Sequence, residues 1–215
     1  MIRLYLVRHG IAIDAEEWKS APDGTRPLTD KGRRRFRKAA RAFGKHERRL
    51  DLILTSPLVR AVQTAEILAG ELKHGEVAVL EELASGGVAA LLAAVAARAQ
   101  AGRSIALVGH EPQLSAVLAT LARLTPEKAE DLDFRKGAIV RLDVSGLPDP
   151  ETALLRWWVK PRSGGREKGL PLRPAEPPQP TKPVKARKPA KATPTASTSK
   201  STRKTRPAKA GKAAK

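Results

Sequence analysis

Short apolar runs alternate with longer amphipathic segments over the first 160 residues of the chain. The runs are rich in branched side chains and predict buried strands at Ile2–Val7, Asp51–Thr55, Val77–Leu80 and Ser104–Val108. Two later runs, Ala138–Val144 and Ala153–Val159, predict strands that close the sheet.

The segments between these runs have the signals of helices. Thr29 is a predicted N-cap for a basic helix over Asp30–His46, whose apolar stripe comprises Phe36, Ala39, Ala40 and Phe43. Ser56-Pro57 predicts the opening of a helix that runs to Leu72, with Pro57 in its first turn. Gly86 and Gly87 precede an Ala-rich helix that stops near Gly102, and Glu111–Arg123 predicts another helix.

Alternation of strands with helices predicts an α/β fold. We expect a single three-layer α/β/α domain with a mostly parallel sheet over residues 1–162. In such sheets, functional sites lie at the carboxyl ends of the strands. Three of the predicted strand ends carry Arg8-His9, Ser56 with the nearby Arg60, and His110.

The composition changes completely after Arg162. Residues 163–215 contain 15 Lys/Arg and 2 Asp/Glu, so they carry +13 of the net charge of +19, and residues 1–162 carry only +6. The segment is dominated by Lys, Pro, Ala, Ser and Thr, and it has too few large apolar side chains to offset its ordering entropy. We therefore expect a disordered basic tail.

A disordered tail of this charge is expected to bind polyanions with little sequence specificity and a strong dependence on salt. Nucleic acid is the first candidate partner, and polyphosphate or an acidic protein comes next. A solubilising tail without a dedicated partner is the alternative.

The chain contains no cysteine, which excludes disulfides, thiol nucleophiles and zinc sites built from cysteine. Met1–Gly10 is interrupted by Arg3 and Arg8 and lacks the apolar stretch of a signal peptide. The longest apolar run, Val88–Ala97, is too short to span a bilayer. We expect a soluble, cytoplasmic protein that does not contact membranes; the pattern does not predict its oligomeric state.

The residue types at the strand ends suit phosphoryl transfer. A histidine is a nucleophile when one ring nitrogen is held protonated and the other faces phosphorus. Arginine binds phosphoryl oxygens well because its planar guanidinium donates hydrogen bonds in pairs and stays charged. Arg8, His9, Arg60 and His110 together contain both components.

These residues lie in motifs that resemble the histidine phosphatase (phosphoglycerate mutase-like) superfamily. The matching segments, in order, are Arg8-His9-Gly10, Arg26-Pro27-Leu28-Thr29 with Gly32, the run from Ser56 to Ala65 that includes Arg60, Leu80-Glu81-Glu82, and Val108-Gly109-His110. Each motif alone is weak, but their order and placement make the resemblance specific. It covers residues 1–160, and the chain is most similar to the short SixA-type phosphohistidine phosphatases.

The resemblance implies a role for each matching residue. His9 would be the nucleophile that forms a phosphohistidine intermediate, and water would then hydrolyse that intermediate. Arg8, Arg60 and His110 would bind the phosphoryl oxygens. Glu82 would be the proton donor, although Glu81 is adjacent and phosphohistidine needs little acid assistance. No metal or other cofactor is implied.

Three functions are compatible with the sequence. The first is a phosphatase that acts on phosphohistidine or another phosphorylated residue of a protein. A short interval between Glu82 and His110, with room for one helix and one strand, favours it because a site without a lid is open to a protein substrate. The second is a phosphatase of small phosphomonoesters. The third is a polyanion-binding protein that uses the domain for phosphate recognition.

Overall fold

A computed structural model of the chain describes residues 1–19, 21–99, 103–124, 134–150, 153–159 and 166–168. The strands are β1 (Ile2–Arg8), β2 (Arg49–Thr55), β3 (Lys73–Val79), β4 (Ser104–Gly109), β5 (Ile139–Val144), β6 (Ala153–Val159) and β7 (Arg166–Lys168). The helices are α1 (Asp30–Gly44), α2 (Val59–Glu71), α3 (Glu82–Ser85), α4 (Val88–Ala96) and α5 (Gln113–Ala122), and a short 3-10 helix spans Asp23–Thr25.

The described strands form one sheet in the order β3-β2-β4-β1-β5-β6-β7. Strands β1, β2, β3 and β4 are parallel to one another. Strand β5 runs antiparallel to β1, β6 antiparallel to β5, and β7 antiparallel to β6. Five of the seven strands therefore point in one direction, as the prediction of a mostly parallel sheet requires.

Alternate side chains of the central strands enter two separate hydrophobic cores. On one face, Leu4 and Leu6 of β1 pack with residues of α4 and α5. On the other face, Tyr5 and Val7 pack with residues of α1 and α2, including Phe36. The sheet therefore lies between two layers of helices. Its central strands are buried on both faces, which explains why they are apolar at nearly every position. The predicted three-layer α/β/α fold is confirmed.

Several element boundaries differ from the predicted ones. Helix α2 begins at Val59, so Pro57 precedes the helix and does not lie in its first turn. Helix α4 ends at Ala96, well before Gly102. The four-residue helix α3 was not predicted, and the interval before His110 therefore holds two helices and a strand.

The C-terminal part of the chain is described only in part. Strand β7 lies beyond residue 162, where the domain was predicted to end. Apart from β7, the predicted tail lies outside the described residues. None of the helices in the described part of the chain has the length and apolarity to span a bilayer.

A close backbone contact anchors the start of α1 beside the end of β1. Thr29 caps the helix by accepting a hydrogen bond from the Gly32 N–H, and the Thr29 N–H donates to the Ile11 carbonyl at 2.9 Å. A Cβ atom added at Gly32 would lie 2.0 Å from that same Ile11 oxygen. Only glycine fits this approach of helix to loop, and the loop carries the residues that directly follow His9.

We expect Gly32→Ala to destabilise the protein by about 1–3 kcal/mol, because the added methyl group must displace the Ile11 carbonyl. Urea unfolding measures the change. Gly70→Ala is the matched control, since Gly70 also lies in a helix but has nothing within 4 Å of its added Cβ. That substitution should be neutral or stabilising by up to about 1 kcal/mol. Equal effects of the two substitutions would contradict this account of the contact.

Candidate active site

Three adjacent parallel strands bring the candidate residues to one edge of the sheet. In the pairing of β1 with β4, Arg8 lies opposite Gly109, and the His9 N–H donates to the Gly109 carbonyl at 3.0 Å. In the next pairing, the Ser56 N–H donates to the Val108 carbonyl at 2.9 Å. The residues that follow β1, β2 and β4 therefore lie side by side.

The ring of His9 is fixed in one tautomer. Nδ1 lies 2.7 Å from the Gly10 carbonyl oxygen. Since a carbonyl oxygen only accepts hydrogen bonds, Nδ1 carries the proton and Nε2 keeps its lone pair. The residue is only 6% exposed, and this burial is the main reason that the pKa of His9 falls to about 3. His9 is therefore neutral at physiological pH, as a nucleophile must be.

His110 faces His9 across the site. The centroids of the two rings are 5.1 Å apart, and the ring planes are tilted by 50°. Nε2 of His110 lies 2.8 Å from the hydroxyl oxygen of Ser56, and that oxygen accepts a hydrogen bond from the Leu58 N–H at 3.4 Å. When the Ser56 hydroxyl donates its proton to Nε2, the ring proton of neutral His110 lies on Nδ1. Burial, followed by the positive charge of Arg60, lowers the pKa of His110 to about 4. The second histidine is therefore also neutral.

Backbone carbonyls hold the two arginines of the site. Arg8 donates from Nη1 to the Phe134 carbonyl at 2.7 Å, and Arg60 donates from Nη1 to the Asp23 carbonyl at 2.9 Å. A carbonyl orients a guanidinium without cancelling its charge. Both charges disfavour the protonated form of His9 and of His110, which shows that all four side chains share one electrostatic environment.

Buried nitrogen atoms without a protein partner cluster on these residues. Among the described residues, the buried side-chain nitrogens that lack a hydrogen bond are Nε of Arg8, Nε of Arg60 and Nδ1 of His110. Leaving a buried donor unsatisfied costs about 1–3 kcal/mol, so such groups are rare in native structures. Their concentration next to His9 indicates a pocket for an anion that accepts several hydrogen bonds.

Asp23 is a component of this site that the sequence did not predict. Its carboxylate bridges two arginines, with Oδ2 3.0 Å from Nη2 of Arg60 and Oδ1 2.8 Å from Nη2 of Arg26. The hydrogen bond from Arg26 is the largest reason that the pKa of Asp23 is lowered, so this carboxylate is ionised. Its charge also favours protonation of His110.

Thr64 links Gly10, which directly follows His9, to the helix that carries Arg60. The Gly10 N–H donates to the Thr64 hydroxyl at 3.0 Å, and this hydroxyl donates to the Arg60 carbonyl at 2.6 Å. Thr64 and Ser56 both belong to the motif that contains Arg60, so their position in this motif could have identified them as site residues from the sequence. Asp23 had no comparable signal, because its partner Arg60 lies 37 residues away.

Among the described residues, the carboxylate of the predicted proton donor forms no hydrogen bond or ion pair with the other site residues. Glu82 begins α3, and its backbone carbonyl accepts a hydrogen bond from the side chain of Gln113 at 2.6 Å. Within the described ranges, no hydrogen bond or ion pair joins the carboxylate of Glu82 or Glu81 to His9 or His110. The structure thus brings Arg8, His9, Arg60 and His110 together, but it leaves Glu82 unattached to them.

Potential metal ligands do not converge in the part of the chain that the structure describes. No group of three or more histidine, aspartate or glutamate side chains is placed there to hold a metal ion.

Comparisons with known proteins agree with the geometry of the site. Residues 4–89 match the histidine phosphatase superfamily (branch 1). A protein of uncharacterised function from Picosynechococcus sp. is 37% identical over 145 residues, which is 64% of this chain and 87% of that protein.

Solved structures give the same assignment. The protein histidine phosphatase SixA, complexed with tungstate, is 27% identical and matches with a TM-score of 0.62 over 74% of this chain and 97% of its own. A SixA homologue from Agrobacterium tumefaciens is also 27% identical, with a TM-score of 0.56 over 66% of this chain and 91% of its own. A phosphoserine phosphatase from Entamoeba histolytica, 20% identical with a TM-score of 0.53 over 71% and 96%, shares the fold. The chain belongs to the histidine phosphatase superfamily and is SixA-like.

Proposed function

We propose that this protein is a phosphohistidine phosphatase that acts on a phosphorylated protein in the cytoplasm. The observation that carries the proposal is the group of unpartnered nitrogens on Arg8, Arg60 and His110 around the neutral, correctly protonated ring of His9. A phosphoryl group supplies the oxygen acceptors that these nitrogens lack. The likeness to the SixA structures supports a phosphohistidine substrate.

The first step is an in-line displacement at phosphorus. Nε2 of His9 forms a bond to phosphorus while the bond from phosphorus to the substrate imidazole breaks, and the imidazole nitrogen takes up that electron pair. The Nδ1 proton of His9 stays on its ring and is held by the Gly10 carbonyl. Arg8, Arg60 and His110 stabilise the charge on the equatorial oxygens. Water then cleaves the bond between phosphorus and His9, releasing inorganic phosphate and regenerating the neutral ring.

The position of Glu82 favours phosphohistidine over an ester. An alkoxide leaving group needs a proton in the transition state, and general acid catalysis commonly contributes about 10²–10⁴-fold. A phosphoimidazole that is protonated on its second nitrogen departs as neutral imidazole without any proton transfer. A site whose predicted acid, Glu82, is not hydrogen-bonded to either histidine in the described part of the chain suits that leaving group.

His9→Ala should abolish phosphate release from a phosphohistidine protein, with a loss of about a thousandfold or more, because no other group can accept the phosphoryl. Release is measured in buffer with EDTA and again without it, next to release from an aryl phosphate. His74→Ala is the matched control. Nδ1 of His74 also lies close to the carbonyl oxygen of the following residue, at 3.1 Å, but His74 is exposed on β3.

The ratio of the two substrates decides the substrate class. Preference for the phosphohistidine protein supports the proposal, and preference for the aryl phosphate assigns the enzyme to small phosphomonoesters. No release from either substrate by the wild type would refute both and favour a phosphate-binding module.

Glu82→Gln and Glu81→Gln should leave kcat/KM for the phosphohistidine protein within about twofold of wild type, because this leaving group requires no acid. Steady-state kinetics with the phosphohistidine protein and with an alkyl phosphate measure the effect. A tenfold loss on phosphohistidine in either variant would make that glutamate a proton donor.

Stability should fall as the pH is lowered below 6.5, in part because His9 is neutral in the folded protein. The unfolded chain binds a proton at its ordinary pKa of 6.5, while folded His9 resists protonation down to about pH 3. The unfolded state therefore binds more protons, and this residue alone lowers the free energy of unfolding by about 2 kcal/mol between pH 7 and pH 5. His9→Gln should lose about that much less stability over the same range in urea unfolding. Equal losses in both proteins would show that His9 is protonated in the folded state.

A further inference from the structure

An ionised carboxylate lies at the entrance of a pocket built to bind an anion. The Asp23 side chain is 58% exposed, whereas the Arg60 side chain that it contacts is only 9% exposed. Asp23 is therefore on the solvent side of Arg60, while His9 lies at the buried end of the pocket. The negative charge of this carboxylate repels an anionic phosphoryl group. Recognition of the phosphoryl group alone therefore gives no reason for a carboxylate at this position.

The leaving group of the substrate must pass on the same side as Asp23. In-line attack puts the leaving group opposite Nε2 of His9, which is toward solvent, where a protein substrate has to remain. Asp23 therefore interacts with the leaving group, and the charge and hydrogen-bond donors of the leaving group determine whether this interaction is favourable.

The hydrogen bonds of Asp23 leave one acceptor position available. Oδ1 accepts from Nε of Arg26 at 2.9 Å and from Nη2 of the same residue at 2.8 Å. Among the residues that the structure describes, Oδ2 accepts only from Nη2 of Arg60, at 3.0 Å. Since a carboxylate oxygen accepts two hydrogen bonds, Oδ2 retains one free lone pair. The two arginines also hold the carboxylate in a fixed orientation.

A protonated phosphoimidazole matches this lone pair. Its ring carries a positive charge and one N–H, on the nitrogen that is not bonded to phosphorus, whereas the bridging oxygen of a phosphate ester has neither. We propose that Asp23 is a specificity-determining residue, whose Oδ2 accepts the N–H of a cationic leaving group and whose charge disfavours substrates with an anionic one. This inference rests on the proposed function and assigns the selection of its substrate to a loop residue.

Asp23 takes up no proton in this reaction. The imidazole N–H stays on its ring while the bond to phosphorus breaks, so the carboxylate remains ionised throughout. Asp23 thereby stabilises the cationic form of the bound substrate, which is the form that departs as neutral imidazole.

Three aryl phosphates that differ only in a para substituent test the charge preference: a trimethylammonium, an uncharged methyl and a carboxylate group. The measured quantity is the ratio of kcat/KM for the cationic compound to kcat/KM for the anionic one. Asp23→Asn should lower this ratio by about five- to tenfold, the effect of one unit charge a few ångströms away near a solvated surface. The uncharged compound reports any general loss caused by a displaced Arg60.

Glu17→Gln is the matched control, because it removes the same charge from an exposed position of the same loop. It should leave the ratio unchanged. With a phosphohistidine protein, Asp23→Asn should lower kcat/KM by at least tenfold, through loss of both the charge and the anionic acceptor.

The outcomes separate this inference from the proposed function. An equal loss on all three aryl phosphates, or an unchanged ratio, would overturn the inference and reduce Asp23 to a support for Arg60, while activity on phosphohistidine would stand. A ratio that depends on Asp23 in an enzyme inactive on phosphohistidine would refute the proposed function and keep Asp23 as the residue that senses the charge of the leaving group.

Discussion

The register of three neighbouring parallel strands determines where the site forms. Backbone hydrogen bonds pair β1 with β4 and β4 with β2, so that all three strands end at the same level of the sheet. The residues that follow these strands therefore lie next to one another. Because the side chains of a strand alternate between faces, a shift of one residue would turn the opposed histidines to different sides. The two hydrophobic cores oppose such a shift, since each strand fills both of them.

The electrostatics of the pocket follow from how its cations are held. Carbonyl oxygens of Phe134 and Asp23 orient the guanidinium groups of Arg8 and Arg60 without neutralising them. Burial, together with the positive charges of Arg60 and Arg8, keeps both histidines unprotonated. In the described part of the chain, the sole carboxylate bonded to Arg8 or Arg60 belongs to Asp23, at the solvent side. Positive charge is thus concentrated at the buried end of the pocket, and the carboxylate of Asp23 partly compensates it at the entrance.

The sequence predicted the central strands and the site residues that follow them, because buried parallel strands are continuously apolar and end abruptly at polar residues. Strand β3 was predicted only from Val77 onwards, since it lies at the edge of the sheet and its first residues are polar and exposed. The start of α2 was predicted two residues early, because the Ser56 hydroxyl faces His110 and Leu58 occupies the cap position. Strand β7 was not predicted because its three residues are polar and show no alternation of apolar and polar positions. Asp23 was not predicted because its partner Arg60 is remote in sequence.

The unpartnered nitrogens of Arg8, Arg60 and His110 can donate hydrogen bonds to any tetrahedral oxyanion, whether it is part of a substrate or is released by hydrolysis. If these nitrogens hold the phosphoryl group of a substrate, inorganic phosphate binds to the same donors, so it is a competitor as well as a product. Turnover then depends on how much free phosphate surrounds the enzyme. Accumulated phosphate would then slow the reaction, and depletion of phosphate would hasten it.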